Sequence, residues 1–150
     1  MESFEDLKRA FRLSVITCGA IVASLLLYAV IMQILRSVLR PFSGLAQNAD
    51  IRMLRYVFYG LAIILVILVR FIGRALTRVR PRDSHQMVIQ KLSRAAIVTS
   101  TLGEIPAILG FILFLLTGAA RDFYYLLFVS LVLEFMYFPR LSTWEEILRT

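Results

Sequence analysis

The chain has 150 residues, 59% of them hydrophobic and only 18% charged, with a mean hydropathy of +0.78 and a formal net charge of +7. That balance excludes an ordinary soluble domain and makes one integral membrane domain, residues 1–150, the expectation. The positive charge does not point to nucleic acid, because Lys and Arg gather at the ends of the apolar spans, where they set topology and meet anionic lipid. The single cysteine, Cys18, has no partner for an intramolecular disulfide.

In chain order, Ser3 and Asp6 bracket a capping signal while Phe4, Leu7 and Phe11 recur at helical spacing, predicting a short amphipathic helix at the membrane surface. Glu2, Glu5 and Asp6, with a long apolar stretch behind them, argue against a cleaved leader. The first predicted transmembrane helix covers residues 13–35 and carries a small-residue patch of Gly19, Ala20, Ala23 and Ser24. Residues 36–55 form a polar connection with a Pro-Phe-Ser-Gly turn at 41–44 and room for a short interfacial helix.

The second predicted span, 56–76, is rich in Leu, Ile and Val. Its end places Arg70, Arg74 and Arg78 four apart on one face, and Arg74 and Arg78 are expected to snorkel to lipid headgroups. A basic connection with Arg80, Pro81, Arg82 and the only histidine, His85, follows. Without a Cys, Asp or Glu cluster beside it, that histidine makes no metal or catalytic site.

The third span, about 95–117, holds the chain's clearest functional lead, because Glu104 sits inside it. An ionised acid at mid-membrane costs about 2.5–3.5 kcal/mol on insertion scales, so such a residue is protonated, paired or served by a water path. Ala96, Ser100, Gly103, Ala107 and Gly110 form a stripe of small residues down one face, which lets helices approach closely. Pro106 cannot donate to the carbonyl of Leu102 and should bend the helix beside Glu104. A tight turn at Gly118–Asp122 leads to a fourth, aromatic span at 123–138. Ser142 to Glu146 then reads as a capped terminal helix with Trp144, Ile147 and Leu148 against the membrane.

The expected fold is therefore all-α: a polytopic membrane protein of four transmembrane helices in two hairpins, with short interfacial helices at both termini. That topology puts all but five of the 17 Lys and Arg residues on the side of the termini, the five being Arg36, Arg40, Arg52, Arg55 and Arg121. Both termini are therefore expected in the cytoplasm, in the inner (plasma) membrane. It also sets Arg70 and Glu134 at similar depth, as candidates for an intramembrane ion pair.

Arg94 upstream of the acid, and then Glu104-Ile105-Pro106-Ala107-Ile108-Leu109-Gly110, resemble the carboxylate-bearing helix of the rotary ATP synthase subunit c, the proteolipid. The preceding span and its Arg80-Pro81 loop resemble that family's first helix and cytoplasmic loop, so the resemblance covers about residues 57–117. It implies a hairpin whose acid, Glu104, binds and releases H⁺ or Na⁺. The chain departs from that family in its second span, which lacks the glycine repeat of a tight rotor ring, and in the helices added on both sides of the hairpin. A proteolipid-like small bacterial membrane protein, rather than a working rotor subunit, is what the resemblance then implies.

Two functions follow as expectations. One is an oligomerising membrane protein with a protonatable H⁺ or Na⁺ site at Glu104; the other is a non-transporting accessory or structural subunit that docks a larger membrane complex through its small-residue face. The lipid bilayer and a second copy or larger complex are the expected partners. No nucleophile elbow, metal-ligand constellation or phosphate-cradling glycine loop is present in the sequence, so neither an enzyme nor a cofactor is expected.

Overall fold

The structure, a computed structural model, describes residues 2–39, 42, 44–46, 50–78 and 84–149, with the side chains of residues 2–4, 6, 145 and 147–149 outside that description. Five helices follow one another: α1 (Glu2–Val38), α2 (Ile51–Leu76), α3 (His85–Thr117), α4 (Ala120–Tyr137) and α5 (Leu141–Arg149). No strand occurs among the described residues.

Three helices are long and apolar enough to cross a membrane, over Leu7–Val38, Ile51–Leu76 and His85–Thr117. The predicted fourth span at 123–138 falls on α4, a helix of 18 residues that carries Arg121, Asp122 and Glu134 and is not among these three. At ~1.5 Å per residue it is about 27 Å long, close to the hydrocarbon thickness.

Capping explains where the helices depart from the sequence expectation. The surface helix expected at 3–12 is continuous with the first span, because no proline lies between Glu2 and Val38 to break α1. Asp50 caps α2 by accepting from the backbone N–H groups of Arg52 and Met53, so that helix starts five residues before the predicted boundary. Ser84 does the same for α3 through Met87 N–H, and the helix begins at His85 rather than near residue 95. Gly118, left-handed at φ 72°, closes α3 by donating to Phe114 O, which leaves only Gly118 and Ala119 between α3 and α4.

The described part of the α1–α2 connection, residues 42 and 44–46, is non-helical and tied to the end of α3. Leu45 N–H donates to Leu115 O and Ala46 N–H to Leu116 O, satisfying carbonyls that the last turn of α3 leaves open. The Phe42 ring packs 5.1 Å from that of Phe114. The turn's Pro41 and Ser43, and the basic loop residues Arg80, Pro81 and Arg82, lie outside the described residues.

The bundle is built around α3, which packs on α1, α4 and α2. Its buried face is wide, running from Val88 and Leu92 through Thr99, Gly103 and Ala107 to Leu113 and Phe114. By contrast α1 and α2 leave about half of their Leu, Ile and Val side chains exposed, as lipid-facing helices do. α5 folds back on the opposite end from the α1–α2 connection. There Trp144, expected in the lipid interface, is instead 5% exposed, packed with Leu7, Val88, Ile89, Leu92 and Ala96 and edge-on to Phe11 at 5.4 Å. The helix begins at Leu141, ahead of the expected Ser142 and Thr143 caps, and so turns Trp144 inward.

Candidate functional site

A polar seam runs between α1 and α3 through an otherwise apolar interior. Ser14 and Ser93 share a hydrogen bond of 3.0 Å at one end, and Cys18 is fully buried beside Ser100. Further along lies Glu104. Its Oε1 is 2.5 Å from Ser24 Oγ and 2.9 Å from the Tyr28 hydroxyl, so α1 supplies the whole observed polar environment of that oxygen.

Ser24 and Tyr28 both donate to the same Glu104 oxygen, and the Ser24 hydroxyl is also 2.7 Å from Ile21 O on its own helix. Two hydroxyls of α1 thus converge on one carboxyl oxygen of α3.

The second acid comes from α4. Glu134 is 2% exposed, its Oε2 accepts a hydrogen bond from Ser100, and its Oε1 has no partner at all. A buried polar atom left open is uncommon in a folded protein and costs about 1–3 kcal/mol. Glu134 and Glu104 are close enough to interact electrostatically, with Gly103 between them. The missing Cβ of Gly103 makes the room, since a methyl there would stand 3.0 Å from Glu134 Oε1.

The expected small-residue stripe is where the two helices meet. Ala96, Ser100, Gly103, Ala107 and Gly110 are all buried. Gly110 backs onto Leu126 and Phe123, and Ala107 N–H, in the turn opened by Pro106, donates to Ser130 Oγ at 2.8 Å. α4 therefore covers most of this stripe within the chain.

The Arg70–Glu134 pair does not form. Glu134 shares the α4 face of Phe123, Leu127 and Ser130, which points to α3 and α1, and Ser100 holds it there. Arg70 is exposed, in a groove between α2 and α4 with Val66, Phe128 and Val132. Arg74 and Arg78 are exposed on the same end, and His85 is exposed at the first turn of α3. An ion pair that sequence spacing did not suggest forms at the other end: Arg55 Nε donates to Asp122 Oδ2 at 2.9 Å, and Tyr59 donates to Asp122 Oδ1 at 3.1 Å. The sequence signal for it was Asp122 in the first turn of α4, where a carboxylate suits the helix dipole.

No family model, curated protein or solved structure matches this chain.

Proposed function

We propose that the protein is a polytopic membrane protein of four spans in two hairpins, with both termini cytoplasmic in the inner (plasma) membrane, in which Glu104 is an exchangeable H⁺ or Na⁺ site. The observation that carries this reading is the pair of acids on α3 and α4: Glu104 held by the Ser24 and Tyr28 hydroxyls, and Glu134 buried with an open oxygen. A purely structural carboxyl group would be fully hydrogen-bonded.

The level of the acids fits a membrane frame. If the Arg55–Asp122 pair marks one boundary, Glu134 lies about 18 Å deeper along α4, and the arginines Arg12, Arg74, Arg94 and Arg140 mark the other boundary roughly 12 Å beyond. The ion-site role is the one that the proteolipid resemblance implies for Glu104. Since α4 covers the small-residue stripe, association with a second copy or a larger complex would use another face, such as Gly19, Ala20 and Ala23 of α1; Gly19 and Ala20 are exposed and Gly19 has open space before it.

Carbodiimide modification in native membranes, mapped by mass spectrometry beside Glu104→Gln, tests the reading. Modification at Glu104 that falls as pH rises, or that Na⁺ blocks, supports an exchanging site. No modification of Glu104 at any pH would sink it and leave a helix-packing subunit.

A further inference from the structure

We infer that the acid pair exchanges protons with one side of the membrane only, through a vestibule that opens at the α5 end of the bundle and stops one helical turn short of Glu134. This rests on the ion-site reading and adds to it the ion, the side and the route.

The vestibule is a cavity of about 320 Å³ between α2, α3, α4 and α5. Its mouth carries Arg140 and Thr143, and its wall includes Trp144. Its inner end is made by Gly73, Thr99 and Tyr137. These three meet closely: a Cβ on Gly73 would be 3.3 Å from both Thr99 Cγ2 and Tyr137 Cε1. Thr99 adjoins Ser100, the hydrogen-bond donor to Glu134, and Tyr137 lies one turn beyond Glu134 on α4. The remaining separation along the helices is thus about 5 Å.

The volume holds several waters at ~30 Å³ each, and the hydroxyls of Thr143 and Tyr137 give them partners, while Thr99 turns its methyl inward and donates its hydroxyl to Ala95 O and Ala96 O. On the opposite side Glu134 is sealed from water, while Glu104 is half-buried at the α1 contact. Leu25, Ala107, Phe114, Phe123 and Leu127 fill the interior toward the Arg55–Asp122 end. Access from the α5 end alone follows from that asymmetry.

The route favours H⁺ over Na⁺, because Arg140 at the mouth repels a metal cation, whereas proton exchange needs only connected water. In the exchange step a water from the vestibule passes Thr99 and Tyr137 to reach Glu134; the carboxyl O–H bond breaks, its proton goes to that water to give hydronium, and the electron pair stays on the carboxylate; uptake is the reverse. Among the described residues the titratable groups facing Glu134 are Glu104 from α3 and Cys18 from α1, with none from α2, whose Arg70 stands in the outer groove.

The test places Glu134→Cys, and separately Thr99→Cys, in a Cys18→Ala background and treats sealed vesicles of each orientation with a membrane-impermeant methanethiosulfonate. Monodisperse elution in detergent checks folding, and Thr99→Cys serves if Glu134→Cys does not fold. The expected result is modification of either cysteine from the α5 side only, slowed several-fold by adding Gly73→Val, which fills the inner end. Carbodiimide modification of Glu104 should respond to pH and not to Na⁺. Modification from both sides, from the far side, or of neither cysteine overturns the one-sided route, and Na⁺ protection of Glu104 overturns the choice of proton. Because carbodiimide reaches Glu104 through lipid, Glu104 reactivity with unreactive cysteines would sink the vestibule while the ion site stands.

Discussion

Glu134 sits behind Gly103 with so little clearance that a single methyl at residue 103 would come within 3.0 Å of its open Oε1. The neighbour in that collision is the end of a flexible side chain, which can swing away at the expense of its bond to Ser100. At Gly110, two turns along the same stripe, the added Cβ would meet Leu126 Cβ at 2.9 Å and the Phe123 backbone at 3.3 Å, neither of which can swing. Gly110→Ala should therefore lower the thermal stability of the purified protein more than Gly103→Ala, with overpacking of about 1–3 kcal/mol. Gly103→Ala should instead change the carbodiimide reactivity of the acids. Equal stability losses at the two sites would show that α4 does not lie against α3 as described.

The ion pair between Arg55 and Asp122 joins α2 to α4, two helices with few other contacts. Asp122 is almost fully buried while Arg55 is half exposed, so the two truncations are not equivalent. Arg55→Ala strands a buried carboxylate with Tyr59 as its remaining donor, a loss of about 1–3 kcal/mol. Adding Asp122→Asn to Arg55→Ala should recover part of that loss, because the stranded charge is gone. Thermal unfolding of the four variants checks it; strictly additive losses would mean the pair contributes no shared interaction.

Hydrophobic run length and helix breakers made the helical character and the three long apolar helices legible in the sequence. Glu104 and the stripe from Ala96 to Gly110 were legible for the same reason, since an acid or a glycine inside an apolar span stands out against its neighbours. What spacing on one helix does not encode is which helix each face meets. Ser24, Tyr28 and Glu134 converge near Glu104 only through the packing of α1 and α4 on α3, so the hydroxyl contacts to its carboxyl group were invisible. Arg70 was paired with Glu134 on depth alone; depth does not determine rotation about the α4 axis, and the Ser130–Glu134 face turns inward. Trp144 was placed in lipid by composition, although the nearby α1 and α3 ends offered it a drier pocket.

Trp144 fastens α5 to the bundle through Phe11 and the Leu7–Val88–Leu92 cluster. Trp144→Ala leaves a large void, and buried aromatic truncations cost about 3–5 kcal/mol. Much of that is recoverable if the nine-residue α5 simply detaches. The expected outcome is faster tryptic cleavage after Arg140 with the rest of the bundle intact, read by mass spectrometry. Unchanged cleavage would place Trp144 outside the cluster.

Gly44 is the residue through which the α1–α2 connection grips the end of α3. Its φ of +84° is open to glycine and costs an L side chain about 1–2 kcal/mol. A Cβ there would also stand 2.4 Å from Leu116 O and 2.6 Å from Thr117 C, backbone atoms fixed by the closing turn of α3. Neither strain can relax while Leu45 and Ala46 keep their bonds to Leu115 and Leu116. Gly44→Ala should therefore release the connection, exposing the amides of Leu45 and Ala46 and loosening Phe42 from Phe114. Hydrogen exchange in detergent micelles reads this directly: the two amides should lose protection while those in the middle of α3 keep theirs. Retained protection at Leu45 and Ala46 would show that the connection holds α3 by some other geometry.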